Sequence, residues 1–297
     1  MMTVFRKFHT LFRIFKEEIQ EDLKVFKEWL MVKTDRNAVD RVNESDQNNI
    51  HIYYWRINDH QDNLGDYLAK LICNFYIPEN SHMQNKKTMR WLYSVGSVLG
   101  FSCQPGVVWG SGLLYPYPIY LKKLRLTKLD IRSVRGPKTR EVLLKLGKKC
   151  PEVYGDPAVL MPSIFCPENT KKEYKASLIT HFSQDSNQFN DNKIHRITMI
   201  TTDYEFAISE IVKSELIISS SLHGIILAEA YGVPAILLKK EGENLFKFED
   251  YYYSTNRFDI KVAHSVEEAL KMEPMKLPDL DNMRKNILNA FPYDLWT

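Results

Sequence analysis

A chain of 297 residues, 44% hydrophobic and 12% aromatic, can bury a sizeable core and at ordinary domain sizes divides into about two domains. Its formal charge of +3 falls short of the concentrated positive field of a nucleic-acid-binding protein, so no nucleic-acid partner is expected. No apolar run reaches the length of a membrane span, no cleavable leader pattern opens the chain, and Cys73, Cys103, Cys150 and Cys166 lack C-x-x-C spacing; the expectation is a soluble or peripheral protein with reduced thiols.

The first predicted element is an amphipathic helix over 4–31, with Phe5, Phe8, Phe12, Phe15, Ile19, Leu23, Phe26 and Leu30 stepping by three and four along one face. Two readings suit it: packing on a domain or partner, or a peripheral membrane contact through residues 1–31 with its early bases near anionic headgroups. The acidic second half, with Glu17, Glu18, Glu21 and Asp22, favours packing. The stretch over 32–49 is too polar to pack and reads as a linker.

From residue 50 onward, short β-branched or aromatic runs alternate with helical patterns, the signature of an α/β fold with parallel sheets covered by helices. Strands are predicted over 50–54, 91–95, 107–109, 129–134 and 153–154, then over 177–180, 196–200, 216–219 and 235–238. Helices are predicted over 66–75, 137–146, 203–213, 225–231, 266–271 and 279–290. Thr202 with Glu205 and Ser265 with Glu268 fit capping boxes, and Pro137 suits a first helical position. Pro162, Pro167 and the polar run over 168–172 mark a break, giving domains over 50–167 and 168–297 after the helix and linker of 1–49.

Ligands gather beyond the carboxyl ends of parallel strands, which directs attention to five loops. Asn63-Leu64-Gly65-Asp66 lets backbone approach a ligand at a helix start, or is a turn with Asp66 as helix cap. Gly110-Ser111-Gly112 leaves room against a strand end, as a plain turn also would. Arg132, Arg135 and Lys138 bring cations to a helix N-terminus, where they oppose the helix dipole and suit an anionic ligand better than a surface ion pair. Asp156, in Tyr154-Gly155-Asp156-Pro157, is a cap or a hydroxyl ligand. In the fifth loop an apolar strand ends in Ser219-Ser220-Ser221, then Leu222-His223-Gly224 opens a short helix that stops at Gly232 before Pro234. A histidine at such a corner, flanked by hydroxyls and glycine, is placed for proton transfer, and His181 follows another strand comparably. No His, Cys or carboxylate spacing suggests a metal, and no G-x-S-x-G elbow suggests a serine nucleophile.

These loops in this order resemble the polysaccharide pyruvyl transferase family, in its short members associated with bacterial exopolysaccharides and capsules. The resemblance runs from Ile50 to about Leu238 and is carried most specifically by Ser-Ser-Leu-His-Gly with the following Ala-x-x-x-Gly-x-Pro (Ala228 to Pro234), supported by Asn-x-Gly-Asp, Gly-Ser-Gly, Ser-Val-Arg and Gly-Asp-Pro-Ala. It implies two Rossmann-like domains facing one cleft, as in GT-B glycosyltransferases. It also implies transfer of the enolpyruvyl group of phosphoenolpyruvate onto a sugar as a cyclic ketal, with no cofactor beyond that donor. The acceptor it implies is a saccharide on a polyprenyl-diphosphate-linked precursor, met in the cytoplasm at the inner membrane face. By the same resemblance His223 is the general acid and Arg135 the anion clamp. Ser220, Ser221 and Gly224 line the donor site, and Asn63, Gly65, Asp66, Gly110, Ser111, Gly112 and Asp156 the acceptor side. Longer members often carry arginine where this chain has Ser221, which leaves Arg132, Lys138 and His181 to receive the phosphate. A glycosyltransferase using a nucleotide sugar, or a non-catalytic saccharide-binding protein, would share the same fold logic.

Overall fold

The computed structural model of the chain describes residues 51–58, 60–78, 91–168, 170–182, 194–239 and 242–296. The amphipathic helix and polar linker expected over 1–49 lie outside them.

Runs of β-branched and aromatic residues form short strands, most of them buried along their length, as strands covered on both faces must be. β1 (His51–Tyr53), β2 (Trp91–Tyr93), β3 (Gly106–Trp109) and β4 (Leu129–Ser133) pair in that order, all parallel. β5 (Ser177–Ile179), β6 (His195–Arg196), β7 (Ile217–Ser219), β8 (Ala235–Leu238) and β9 (Val262–Ala263) form a second parallel sheet, ordered β6-β5-β7-β8-β9. The helices are α1 (Leu64–Tyr76), α2 (Pro118–Leu126), α3 (Pro137–Lys145), α4 (Tyr204–Val212), α5 (Leu222–Ala230), α6 (Phe246–Ser254), α7 (Val266–Ala269) and α8 (Asp281–Asn289), with a 3-10 helix over Pro157–Ser163. No helix among the described residues is long and apolar enough to cross a membrane.

The expected α/β class with parallel sheets is thus observed, and the differences in detail have local causes. The segment expected as a strand over 153–154 contributes only a bridge from Tyr154 to Val134. The one expected over 196–200 is laddered at His195–Arg196 and then turns to the first half: Met199 O accepts from the Leu64 amide at 2.7 Å, and Ile200 bridges Asn63. α1 starts two residues before its predicted position with Asn63 as N-cap, so Asp66 falls inside its first turn and is not the cap. Asp203 caps α4 in place of Thr202, accepting from the Phe206 amide at 3.0 Å, because a carboxylate is the stronger acceptor for an unpaired helix amide. Ser265 caps α7 as expected, at 3.0 Å to the Glu268 amide.

Position in this fold is set by the 3-10 helix. Pro157, Ala158, Val159, Leu160 and Met161 are all buried, and the segment packs between α1 and α5. α5 is buried at every position; an apolar run with no polar face is driven inside whatever its neighbours. Its one carboxylate, Glu229, is met by both guanidinium nitrogens of Arg257 at 2.6 and 2.7 Å and by the Tyr251 hydroxyl at 2.7 Å, so the buried charge is paired. One apolar cluster extends from Leu92 and Trp109 of the first sheet to Ile217 and Leu237 of the second.

The chain end returns to the first sheet. Trp109 donates its indole N–H to Ile287 O at 2.8 Å, Phe291 stands edge-on to the same ring at 4.8 Å between centroids, and Arg132 forks onto Asp294 at 2.9 and 3.0 Å.

Candidate active site

The packing of α1, the 3-10 helix and α5 brings three of the singled-out loops to one point. His223 is the second residue of α5, immediately after the Ser219-Ser220-Ser221 corner. That corner is built from its own hydroxyls: Ser219 Oγ donates to Ser221 O at 2.9 Å and accepts from the Ser221 amide at 3.0 Å. Ser220 Oγ accepts the backbone N–H of His181 at 2.9 Å. Gly224 has no room for a side chain, since a Cβ would collide with Ser219 Oγ.

Asp156 is the N-cap of the 3-10 helix, its Oδ1 accepting from the Ala158 amide at 3.0 Å. The cap fixes the carboxylate so that Oδ2 faces His223 Nε2 at 3.7 Å. Asp156 is 0% exposed, His223 is 7%, and neither of the two facing atoms has a hydrogen-bond partner. Two buried polar atoms left in this way are costly, and a small rotation of the imidazole would join them.

Asp66 also lies near the imidazole. Its Oδ2 accepts from Asn63 Nδ2 at 2.5 Å, and a Cβ on Gly96 would stand 2.9 Å from its Oδ1 and 3.9 Å from His223 Cε1. Gly65, one residue earlier, lies so close beneath the ring that any Cβ there would strike His223 Nδ1. Burial pushes the Asp66 carboxyl above its ordinary range; His223, the Asn63 amide and Lys247 pull it down, and Asp156 pushes it further up. Asp66 nevertheless keeps part of its surface, whereas Asp156 and His223 are buried. A carboxyl whose folded value is raised binds protons more tightly in the folded state, so its contribution to stability is present at acid pH and is lost as pH rises through the folded value. Asp66→Asn should therefore gain stability relative to the parent as pH rises from 4 towards neutrality, read as the difference in unfolding midpoint. A difference independent of pH would show that Asp66 is not held above its ordinary range.

The cations occupy other positions. Arg135 is 0% exposed and directs Nε to Asp250 Oδ2 at 3.1 Å, one terminal nitrogen to Ser97 Oγ at 2.5 Å, and the other to Leu113 O at 2.6 Å and Asp250 Oδ2 at 3.0 Å. Thr139 completes Asp250 through its amide at 2.8 Å and its hydroxyl at 2.6 Å. In this structure the anion beside Arg135 is thus an internal one, supplied by α6, and the guanidinium frames the loop of Gly96 and Ser97 that faces Asp66. Gly112 makes way for it, since a Cβ there would strike the guanidinium carbon. Ser111 Oγ donates to Gly96 O at 3.1 Å and braces the same loop, while Gly110, at φ +87°, turns the chain against Pro157. Arg132 is taken by Asp130 and Asp294, and Lys138 by Glu249 with the Phe246 ring beneath it. His181 borders a cavity of about 250 Å³ with Thr180, Phe182, Arg196 and Thr198, whose lining also takes in Met199 and Ile200, the residues that meet Leu64 and Asn63.

Two groups near the site carried no sequence expectation. Asp250 and Lys247 both lie on α6, a helix written Phe-Lys-Phe-Glu-Asp-Tyr-Tyr-Tyr-Ser whose aromatic content suits a strand equally well. The available signal was Phe248, Tyr251 and Tyr252, spaced as one buried helical face.

Comparison with known proteins agrees with the motif order. The family model for polysaccharide pyruvyl transferase matches residues 33–239. The chain is 29% identical over 209 residues to the succinoglycan biosynthesis protein ExoV of Rhizobium meliloti (strain 1021), covering 67% of this chain and 63% of that protein. It is 28% identical over 169 residues to the uncharacterized protein L143 of Acanthamoeba polyphaga mimivirus, covering 53% of this chain and 57% of that one. The aligned region therefore spans less than two thirds of either relative. With the matched region taking in the His223 corner, Asp156 and the Asn63–Asp66 loop, this chain belongs to the polysaccharide pyruvyl transferase family.

Proposed function

We propose that the chain is a ketal pyruvyltransferase that moves the enolpyruvyl group of phosphoenolpyruvate onto two hydroxyls of a sugar. The observation that carries this reading is the imidazole of His223 facing the buried, helix-capping carboxylate of Asp156 at 3.7 Å, with Asp66 close enough to interact electrostatically with the ring. The reaction needs such groups. Carbon 3 of the donor takes a proton as one sugar hydroxyl adds to carbon 2; the second hydroxyl then adds, inorganic phosphate leaves, and the two hydroxyl protons end on the new methyl group and on phosphate. His223, facing Asp156, is the acid for carbon 3, and Asp66 with Asn63 meets the acceptor hydroxyls. Membership of the family and the likeness to a succinoglycan biosynthesis protein support a saccharide acceptor. We further propose a polyprenyl-diphosphate-linked acceptor at the inner face of the cytoplasmic membrane, with residues 1–31 assisting docking.

The test is incubation with phosphoenolpyruvate and extracted lipid-linked saccharides, read by mass spectrometry and phosphate release. A saccharide gaining one ketal pyruvyl group with equimolar phosphate is the expected result. Consumption of a nucleotide sugar with phosphoenolpyruvate untouched would replace this reading with glycosyl transfer.

A further inference from the structure

A buried lysine adjoins the site and has no part in the chemistry above. Lys247 is 8% exposed and is the second residue of α6, where the helix already presents unpaired amides and a partial positive charge. A second cation, Arg135, is close enough to destabilise its charge, and Asp66 is close enough to stabilise it. Burial is the largest influence and lowers the lysine from its ordinary value, with Arg135 adding to the fall and Glu243 and Asp66 opposing it. An ammonium at a helix start, withdrawn from water and within electrostatic reach of a guanidinium, is an unfavourable arrangement unless an anion is brought to it. Here that anion is Glu243, at 3.2 Å from Nζ, on the segment just before α6; the Phe248 ring lies under the ammonium at 4.8 Å. Glu243 keeps about a fifth of its side-chain surface (19%), twice the share of Lys247 (9%), so the carboxylate is the outer partner of the pair.

We propose that Lys247 is a binding residue for the anionic end of the donor, and that Glu243 occupies the ligand's place when the site is empty. This inference rests on the reading of the donor as a phosphorylated enol acid. Arg132, Arg135 and Lys138 are also engaged by carboxylates and Ser221 carries no charge; Lys247 stands apart among these cations in being both buried and paired with a carboxylate more exposed than itself. Both residues lie beyond the region matched by the family model, which ends at residue 239.

The proposal predicts opposite effects from its two partners. Lys247→Met should weaken phosphoenolpyruvate binding about tenfold or more in calorimetry, the scale of one charge-assisted contact, whereas Glu243→Gln should tighten it severalfold by removing the internal competitor. A merely structural ion pair would make both variants bind equally or both worse, and either outcome would overturn the proposal. Should Lys247→Met fail to fold, Glu243→Gln decides alone: unchanged or weakened binding rejects the competition. Inorganic phosphate and pyruvate as separate probes show which anionic group is held, by which of them loses affinity in Lys247→Met. Phosphate binding that depends on Lys247 in a protein that forms no ketal would preserve the anion site and discard the pyruvyltransferase reading. Ketal formation by Lys247→Met with unchanged KM would do the reverse.

Discussion

Replacement of His223 by glutamine is expected to lower pyruvyl transfer about 10²- to 10⁴-fold, the range a positioned proton donor contributes, while phosphoenolpyruvate still binds within a few fold of the parent affinity. Glutamine preserves much of the ring's volume against Gly65, so the unfolding midpoint should move little. Asp156→Asn is the informative companion. Asparagine can still cap the 3-10 helix through its carbonyl oxygen, but it presents no charge to Nε2. Its turnover should fall by less than that of the His223 variant, since the imidazole itself remains and only the charge facing Nε2 is lost. Near-parental turnover in His223→Gln would remove this residue from the reaction. An Asp156→Asn enzyme with parental turnover would reduce that carboxylate to a helix cap.

The largest effect on stability is expected at Arg135. Taking one partner from a fully buried ion pair leaves a charge without compensation, at a cost of about 3–5 kcal/mol. Arg135→Ala would strand Asp250 with only the amide and hydroxyl of Thr139, and would release Ser97 and Leu113 O as well. Asp250→Ala should cost a similar amount, and the double variant clearly less than the sum, since the second change removes a charge already left alone. Chemical denaturation measures all three. A midpoint unmoved by Arg135→Ala would mean that the guanidinium is not held as described, and strictly additive losses would mean that the two side chains act independently.

What the sequence discloses of this site follows the range over which each interaction acts. The His223 corner is legible because its causes are local: an apolar strand, three hydroxyls that close a turn among themselves, and a glycine that admits Ser219. Asn63 and Asp66 are likewise neighbours within one helical turn, although the start of α1 was misplaced because Asp66 looked like the cap. The oddity of Arg135, a cation at a helix start, is also visible in the chain. Its partner is not, because Asp250 arrives from α6, and α6 hides behind aromatic residues that suit strand and helix alike. The opposition of Asp156 and His223 depends on the 3-10 helix being inserted between α1 and α5, a tertiary event with no periodic signature. Lys247 is hidden in the sequence for the same reason as Asp250: the burial of its ammonium is a property of packing, not of spacing.

The return of the chain end to the first sheet has a consequence for biosynthesis. Trp109, at the heart of the first half, receives Ile287 O, 178 residues further along the chain, and the Phe291 ring only after that later segment has been synthesised. A nascent chain stalled before residue 281 would leave the Trp109 face without these partners, open to chaperones and proteases.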